Sequence, residues 1–233
     1  MKRSDLLVIG VPRSGTSMLA SVLHSPEKQW IFYEAQTWLR LKDVDAFTAC
    51  PKWGSKQINV RDIKQFSSTH RPRQILAITR HVRDCGMSYA IRAEDHFQNE
   101  CHQVIQNEVM RRCWMVSSMC RYLTEAKEQG GIRVSKEEIL PVTLWVKYED
   151  LVSRPEETKE RIREATGWEC LGSPDHFLVN IPHVLSRVEE AKQHHKQISK
   201  VSLDKYKDVH IPPIIQSLMK GCQRYTDTFY PGE

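Results

Sequence analysis

A glycine-rich segment that carries one cation stands near the start of the chain. Residues 10–17 read Gly-Val-Pro-Arg-Ser-Gly-Thr-Ser and follow a short apolar run. The backbone N–H groups of such a loop, with the N-terminus of a following helix, bind the oxygens of phosphate-like anions. A nucleoside-triphosphate P-loop carries Lys directly after its second glycine, whereas here Thr16 stands there and the cation, Arg13, comes earlier. The segment predicts a site for a phosphate-bearing donor other than ATP, and a glycine-rich turn without a ligand is the alternative.

A second cation and a hydroxyl follow a later apolar run. Residues 75–79 are apolar up to Thr79, Arg80 comes next, and Ser88 follows eight positions later with Arg92 one helical turn beyond. In α/β folds, the carboxyl end of a strand and the start of the next helix meet where ligands bind. We therefore expect Arg80 and Ser88, joined by Arg92, to hold one anion. Taken alone, Arg80 would more often be a surface ion-pair partner.

Short apolar runs predict the strands that place these residues. They are buried-strand candidates bounded by Gly, Pro or polar residues, and they cover residues 6–11, 30–33, 75–79 and 142–148. Strands that alternate with helices indicate a parallel sheet covered on both faces. We expect the α/β class, as a single P-loop-like domain over residues 1–233 with a central parallel sheet flanked by helices on both faces.

Helical spacing and capping residues predict the connecting helices. The first follows the glycine-rich loop, with Ser14 to Ser17 as capping groups. A long helix is expected over residues 102–127, where apolar residues form a continuous stripe. The sequence Ser153-Arg154-Pro155-Glu156 has the form of a capping box, and it predicts a helix that continues through Glu164 and stops at Gly167. Residues 186–207 are polar and predict a solvated loop or helix.

Composition excludes several classes of protein. The 233 residues are 40% hydrophobic and 27% charged, which is typical of one globular core rather than a disordered or fibrous chain. Lys and Arg number 34 against 29 Asp and Glu, giving a net charge of +5. A mild, scattered excess of positive charge suits an anionic ligand and does not call for nucleic acid.

The cysteines and the lengths of the apolar runs indicate where the protein works. Seven cysteines are present, without a CxxC pair or a zinc-ligand spacing, so we expect free thiols and no metal site. No apolar run approaches the roughly 20 residues of a membrane span. A cytoplasmic protein without a membrane span is the resulting expectation.

Three segments resemble one enzyme family. GVPRSGTS resembles the 5′-phosphosulfate loop of sulfotransferases that use 3′-phosphoadenosine 5′-phosphosulfate (PAPS). It is closer to the Golgi and bacterial branches, including the loops of tyrosylprotein sulfotransferases, than to the cytosolic steroid and phenol branch. Residues 75–88 resemble the family's 3′-phosphate segment, and residues 145–155 its YEDL segment. The resemblance spans about residues 6–168. It implies transfer of a sulfuryl group to an acceptor hydroxyl or amine, with 3′-phosphoadenosine 5′-phosphate (PAP) as product and no metal.

The resemblance also implies roles for single residues. Arg80 and Ser88 would bind the 3′-phosphate, and Tyr148 would lie near the adenine, although a core aromatic is an equal alternative for Tyr148. The loop residues that would bind the phosphosulfate are Arg13, Ser14, Gly15, Thr16 and Ser17. Arg13 and the loop N–H groups would also stabilise charge on the leaving phosphate.

Three further residues match the family more loosely. Glu34 follows a predicted strand and resembles the general base of Golgi and bacterial members, since no His stands in the Lys-Thr-His pattern of the cytosolic branch. Lys56 resembles the Lys that contacts the phosphosulfate bridge. Lys205 faintly resembles a late cofactor-loop Lys. For Glu34 and Lys56 taken alone, an exposed charge is the simpler interpretation.

Two other functions stay open at this point. A P-loop kinase for small molecules is disfavoured by Thr16 and by the Arg80/Ser88 pair. A protein that binds a 3′-phosphoadenosine nucleotide without turnover would keep the same donor residues. Carbohydrate, peptide tyrosine and small-molecule hydroxyls all remain possible acceptors.

Overall fold

A computed structural model describes residues 4–25, 28–33, 51–96, 102–171, 206 and 208–232. Within these ranges the strands are β1 (Leu6–Gly10), β2 (Gln29–Tyr33), β3 (Lys52–Gln57), β4 (Gln74–Thr79), β5 (Gly131–Arg133), β6 (Ile139–Pro141) and β7 (Leu144–Lys147). The helices are α1 (Thr16–Leu23), α2 (Val60–His70), α3 (Val82–His96), α4 (His102–Glu128), α5 (Tyr148–Ser153), α6 (Pro155–Thr166), α7 (Pro213–Gly221) and α8 (Gln223–Phe229).

Five of these strands form one parallel sheet in the order β2-β3-β1-β4-β7, and β5 and β6 form a separate antiparallel pair. From β1 the chain runs to the β2 edge and returns to β3, and it then crosses β1 to reach β4. The loops after β1 and β4 therefore leave adjacent strands towards opposite sides. A crevice at the carboxyl ends of such strands is where open α/β sheets bind ligands.

Alternation along β1 divides the apolar core between the two faces of the sheet. Leu7 and Ile9 pack with α2, α3, α4, α7 and α8, whereas Leu6 and Val8 pack with α1, α5 and α6. Successive strand residues point to opposite faces, and all five residues of β1 are buried. The predicted α/β fold, with helices on both faces of a central parallel sheet, is confirmed.

The sequence did not predict β3. Its residues Lys-Trp-Gly-Ser-Lys-Gln lack an apolar run, yet positions 54–57 are buried between β1 and β2. Polar partners inside the fold make this possible, since Lys56 donates to Ser17 and Gln57 donates to Ser55. The strand expected from Val142 also begins later, at Leu144. Thr143 instead accepts a hydrogen bond from the Ile75 N–H through its hydroxyl.

Two predicted helix caps are wrong, and one predicted stop is confirmed. Gly15 is the N-cap of α1, and no side chain caps that end. Ser153 ends α5 and donates its hydroxyl to the Glu149 carbonyl, so Arg154 precedes α6 in its place. Gly167 ends α6 with a φ of 67°, the left-handed geometry that favours glycine.

The described part of the chain contains no helix long and apolar enough to cross a membrane. Over those same residues, no group of three or more His, Cys, Asp or Glu side chains is placed to hold a metal ion. The described cysteines are free thiols, namely Cys85, Cys113, Cys120, Cys170 and Cys222. Residues 186–205, which fall in the predicted polar segment, lie outside the described residues.

The close approach of β3 to β1 gives a stability prediction. A Cβ atom on Gly54 would lie 2.5 Å from the Leu6 carbonyl oxygen, which is backbone and has no rotamer to change. Gly54→Ala should lower the free energy of unfolding by about 1–3 kcal/mol, measured by urea denaturation. Gly221→Ala is the matched control, since its Cβ would meet no described atom within 4 Å; its effect should stay within about 0.5 kcal/mol. Equal effects of the two substitutions would contradict this packing.

Candidate functional site

The loop between β1 and α1 has a backbone that only certain residues allow. Gly15 has a φ of 87° and Arg13 a φ of 71°, both in the left-handed region, which is costly for Arg. The Ser14 N–H donates to the Val11 carbonyl across a tight turn, at 2.9 Å. A Cβ atom on Gly10 would lie 2.6 Å from the Ile78 carbonyl oxygen of β4. The loop is thus held directly against the end of β4.

Arg13 joins the loop to α3. Its Nε donates to the Ser88 hydroxyl at 3.0 Å, and its guanidinium carbon lies 5.9 Å from the centre of the Tyr89 ring. Ser88 lies in the second turn of α3, beyond the helix start where the sequence placed it. The two segments that the sequence singled out therefore meet through this side-chain bond.

Arg80 joins the end of β4 to the same loop. One terminal guanidinium nitrogen of Arg80 donates to the Arg13 carbonyl at 3.1 Å. The residue is only 7% exposed, and its Nε has no hydrogen-bond partner among the described residues. Burial alone would lower the pKa of Arg80, but Tyr148, Cys85 and Asp84 raise it above its ordinary value, and the guanidinium stays charged. Arg80 is a buried cation and not a surface ion-pair partner.

Tyr148 lies between the loop and Arg80. Its ring centre is 4.1 Å from the Arg80 guanidinium carbon, a distance at which the negative face of the ring attracts the cation. On its other side, a Cβ atom on Gly15 would lie 2.5 Å from the Tyr148 ring. The ring is 5% exposed and belongs to the core cluster on the α1 face. Tyr148 therefore packs as a core aromatic and also contacts the buried cation.

Lys56 brings a third cation to the start of α1. It lies near the carboxyl end of β3, is 2% exposed, and donates from Nζ to the Ser17 hydroxyl at 2.9 Å. Ser17 stands in the first turn of α1, directly after the loop. The exposed-charge interpretation of Lys56 is wrong, because the ammonium is buried against the loop helix.

Ser14 and Thr16 complete the loop. Both are buried, and the Ser14 hydroxyl has no hydrogen-bond partner within the described ranges. Buried polar groups without partners are uncommon and call for a reason. Together with the Arg80 Nε, this hydroxyl leaves hydrogen-bonding capacity for an anion at the loop.

Three predicted site residues cannot be placed in this cluster. Glu34 and Lys205 lie outside the described residues. Arg92 belongs to α3, but only its backbone is described.

Sequence reasoning missed the residues that support the segment after β4. The Tyr225 hydroxyl lies 3.3 Å from both the backbone nitrogen and the carbonyl oxygen of Arg80. Glu149 accepts from the His81 N–H at 3.4 Å and from the Tyr230 hydroxyl at 3.0 Å. The sequence offered one signal for these supporting residues, the acidic pair of the YEDL segment, whose first member is Glu149.

Comparison with known proteins gives structural matches only. No protein-family model and no curated protein sequence matches the chain. The sulfotransferase domain of the Synechococcus PCC 7002 olefin synthase is 15% identical, with a TM-score of 0.58, covering 98% of this chain and 96% of its own. The sulfotransferase domain of the curacin biosynthetic pathway is 13% identical, with a TM-score of 0.54, covering 95% and 98%.

A third similar structure is mouse sulfotransferase SULT7A1 complexed with PAP. It is 12% identical, with a TM-score of 0.51, and the match covers 100% of this chain and 87% of the mouse chain. The chain shares the fold of these sulfotransferase structures. At such low identity the likeness extends to the fold alone.

The buried carboxyl of Glu149 gives a pH prediction. Burial raises its pKa above the ordinary 4.5, against the opposing hydrogen bonds from Tyr230 and His81. A carboxyl whose pKa is raised on folding adds stability at low pH, and this is lost as the pH rises from 4.5 through the raised value. Glu149→Gln has no such titration, so it should become more stable relative to the unmodified protein between pH 4 and pH 7.

Urea unfolding of both proteins across this pH range measures the effect. Glu156→Gln is the matched control, because it makes the same substitution at a side chain that is 85% exposed, and its effect on stability should stay within about 0.5 kcal/mol. A stability difference for Glu149→Gln that stays constant, or that favours the unmodified protein as the pH rises, would contradict the assigned cause.

Proposed function

We propose that this protein transfers a sulfuryl group from PAPS to an acceptor hydroxyl or amine. The observation that carries the proposal is the convergence of Arg13, Arg80 and Ser88 in one hydrogen-bonded cluster at the carboxyl ends of β1 and β4. Two guanidinium groups at one strand edge suit a ligand with two separate anionic groups. PAPS has such groups in its 5′-phosphosulfate and its 3′-phosphate.

The described residues fit this donor. Gly10 and Gly15 leave no space for a side chain, so the loop packs tightly against β4 and Tyr148; the backbone N–H groups of a loop that opens a helix bind anions. The Ser14 hydroxyl and the Arg80 Nε offer polar atoms without a described partner. The PAP complex of the similar mouse sulfotransferase supports a 3′-phosphoadenosine nucleotide for this fold.

The residues divide between the two ends of the donor. Arg80 and Ser88, with Arg92 as a further candidate, hold the 3′-phosphate. Tyr148 supports Arg80 from the adenine side, and Lys205 is a weaker candidate for the nucleotide. The 5′-phosphosulfate lies on the loop residues Arg13, Ser14, Gly15, Thr16 and Ser17.

PAPS supplies the sulfuryl group, and the acceptor atom forms its bond to sulfur as the sulfur–oxygen bond to the 5′-phosphate breaks. Arg13, Lys56 and the loop N–H groups stabilise the charge that develops on the departing phosphate oxygen. Fixed donors are effective there because they need no reorganisation as charge appears. The bond from Lys56 to Ser17 holds the ammonium at the loop helix, where the charge develops.

Glu34, the residue that follows β2 in the sequence, takes the proton from the acceptor. An unperturbed Glu titrates near about 4.3 and is ionised at neutral pH, so it can act as a general base. The two matched domains belong to a curacin pathway and an olefin synthase, and both favour a small-molecule acceptor over carbohydrate or peptide tyrosine. The loop sequence agrees with the Golgi and bacterial branches.

The donor assignment predicts selectivity for the 3′-phosphate. PAP should raise the melting temperature well above the effect of equal ADP or ATP, since a ligand at about 100 times its Kd adds about 2.7 kcal/mol to stability. Thermal denaturation with each nucleotide measures this. Equal or greater stabilisation by ATP would favour a small-molecule kinase instead.

Arg80→Ala should remove most of that selectivity. A hydrogen bond to a charged group is worth about 1.5–3 kcal/mol, so the preference for PAP over AMP should fall roughly tenfold to a hundredfold. Titration calorimetry measures both affinities. Arg83→Ala is the matched control, because Arg83 pairs with Asp84 in the same segment and its loss should leave the preference intact. An unchanged preference in Arg80→Ala would remove Arg80 from the site.

Glu34→Gln should separate donor binding from chemistry. The amide preserves shape but cannot accept a proton, so turnover should fall by roughly 10² to 10⁴ while PAP affinity is kept. Turnover is measured with labelled PAPS and an acceptor found by screening. Near-normal turnover would show that Glu34 is not the base, and loss of PAP affinity would mark it as structural.

A further inference from the structure

Between β4 and α3, the backbone N–H groups of Arg80 and His81 donate to side chains from other parts of the chain. The ladder between β4 and β7 ends at the pair Thr79 and Lys147, and α3 begins at Val82. Arg80 and His81 therefore lie between the sheet and the helix. Buried backbone N–H groups need partners, so other parts of the chain must supply them here.

Tyr225 of α8 is the partner of both the backbone N–H and the carbonyl of Arg80. Its hydroxyl accepts from the Arg80 N–H and donates to the Arg80 carbonyl, with both distances 3.3 Å. The ring is 1% exposed and packs 4.8 Å from the Phe229 ring. One immobile hydroxyl thus spans the backbone of Arg80 and fixes the direction in which its side chain leaves.

Tyr230 contacts the residues on either side of Arg80, directly or through Glu149. Its hydroxyl donates to the Glu149 carboxylate at 3.0 Å, and that carboxylate accepts from the His81 N–H. The same hydroxyl lies 3.5 Å from the Thr79 hydroxyl, and the Tyr230 ring lies 4.0 Å from the His81 ring. Burial raises the pKa of both phenols, so each keeps its proton at neutral pH.

We propose that Tyr225 and Tyr230 form a C-terminal clamp that positions Arg80 for the 3′-phosphate of the donor nucleotide. This inference rests on the proposed function. The clamp does not touch the nucleotide, and it acts by holding three consecutive residues, Thr79 to His81, from the side of the sheet that carries α8. Selectivity for the 3′-phosphate would then depend on Tyr225 of α8, which lies 145 residues beyond Arg80 in the sequence.

Tyr225→Phe tests the clamp, because it keeps the ring and removes the hydroxyl. Affinities for PAP and for AMP, which lacks the 3′-phosphate, are measured by titration calorimetry on the full chain. The ratio of PAP to AMP affinity should fall roughly tenfold while AMP affinity is unchanged. A purely structural role would lower the melting temperature or weaken both ligands equally, and would leave the ratio intact.

Tyr122→Phe is the matched control. Tyr122 is also a buried tyrosine, on α4, and its hydroxyl has no hydrogen-bond partner among the described residues. The PAP to AMP ratio should therefore stay at the value of the unmodified protein. If Tyr225→Phe does not fold, Tyr230→Phe carries the test, with an expected fall of roughly threefold, because its hydroxyl contacts Glu149 and Thr79 and not Arg80 itself.

The unmodified protein separates the two levels of the proposal. No preference for PAP over AMP in that protein would overturn the proposed function, and the clamp with it. If the unmodified protein prefers PAP over AMP and Tyr225→Phe keeps that preference in full, the clamp is wrong and the proposed donor site is unaffected.

Discussion

The positive charge of Arg80, 7% exposed at the end of β4, constrains the structure around it. Moving a cation out of water is costly unless polar or aromatic groups replace the water. Here the Arg13 carbonyl accepts from the guanidinium at 3.1 Å, and the face of Tyr148 lies 4.1 Å away. The Arg13 carbonyl belongs to the loop between β1 and α1, and Tyr148 is the first residue of α5. The loop, β4 and α5 must therefore keep one relative arrangement for the cation to remain buried.

That arrangement explains why glycine occupies two loop positions. Tyr148 can face Arg80 only if nothing projects from Gly15, where a Cβ atom would lie 2.5 Å from the ring. Gly10 pairs with Ile78 in the sheet, and a side chain there would strike the Ile78 carbonyl. The buried cation and the two glycines are thus consequences of one packing arrangement.

Features with local causes could be predicted from the sequence. The runs that became β1 and β4 are apolar because both faces of a central strand are buried, and the loop and Arg80 follow directly from them. Burial of β3 could not be predicted, since the described hydrogen bond from the Lys56 ammonium goes to Ser17, 39 residues away. Tyr225 contacts Arg80 across 145 residues and Tyr230 contacts Thr79 across 151 residues, and no spacing rule reaches that far. The two side-chain caps were wrong for other reasons: Gly15, not a hydroxyl residue, is the N-cap of α1, and the Ser153 hydroxyl bonds to the Glu149 carbonyl one turn earlier.

A neutral oxygen accepts a hydrogen bond from each of three cations at the loop. The Ser88 hydroxyl accepts from Arg13, the Ser17 hydroxyl from Lys56, and a carbonyl oxygen from Arg80. A hydroxyl or a carbonyl fixes the direction of a cation without cancelling its charge, whereas a carboxylate does both. Like charges held together in a partly buried site repel each other, and the apolar cores on the two faces of the sheet must offset this cost. A bound anion would attract all three cations, so a site of this composition gains stability when it binds one.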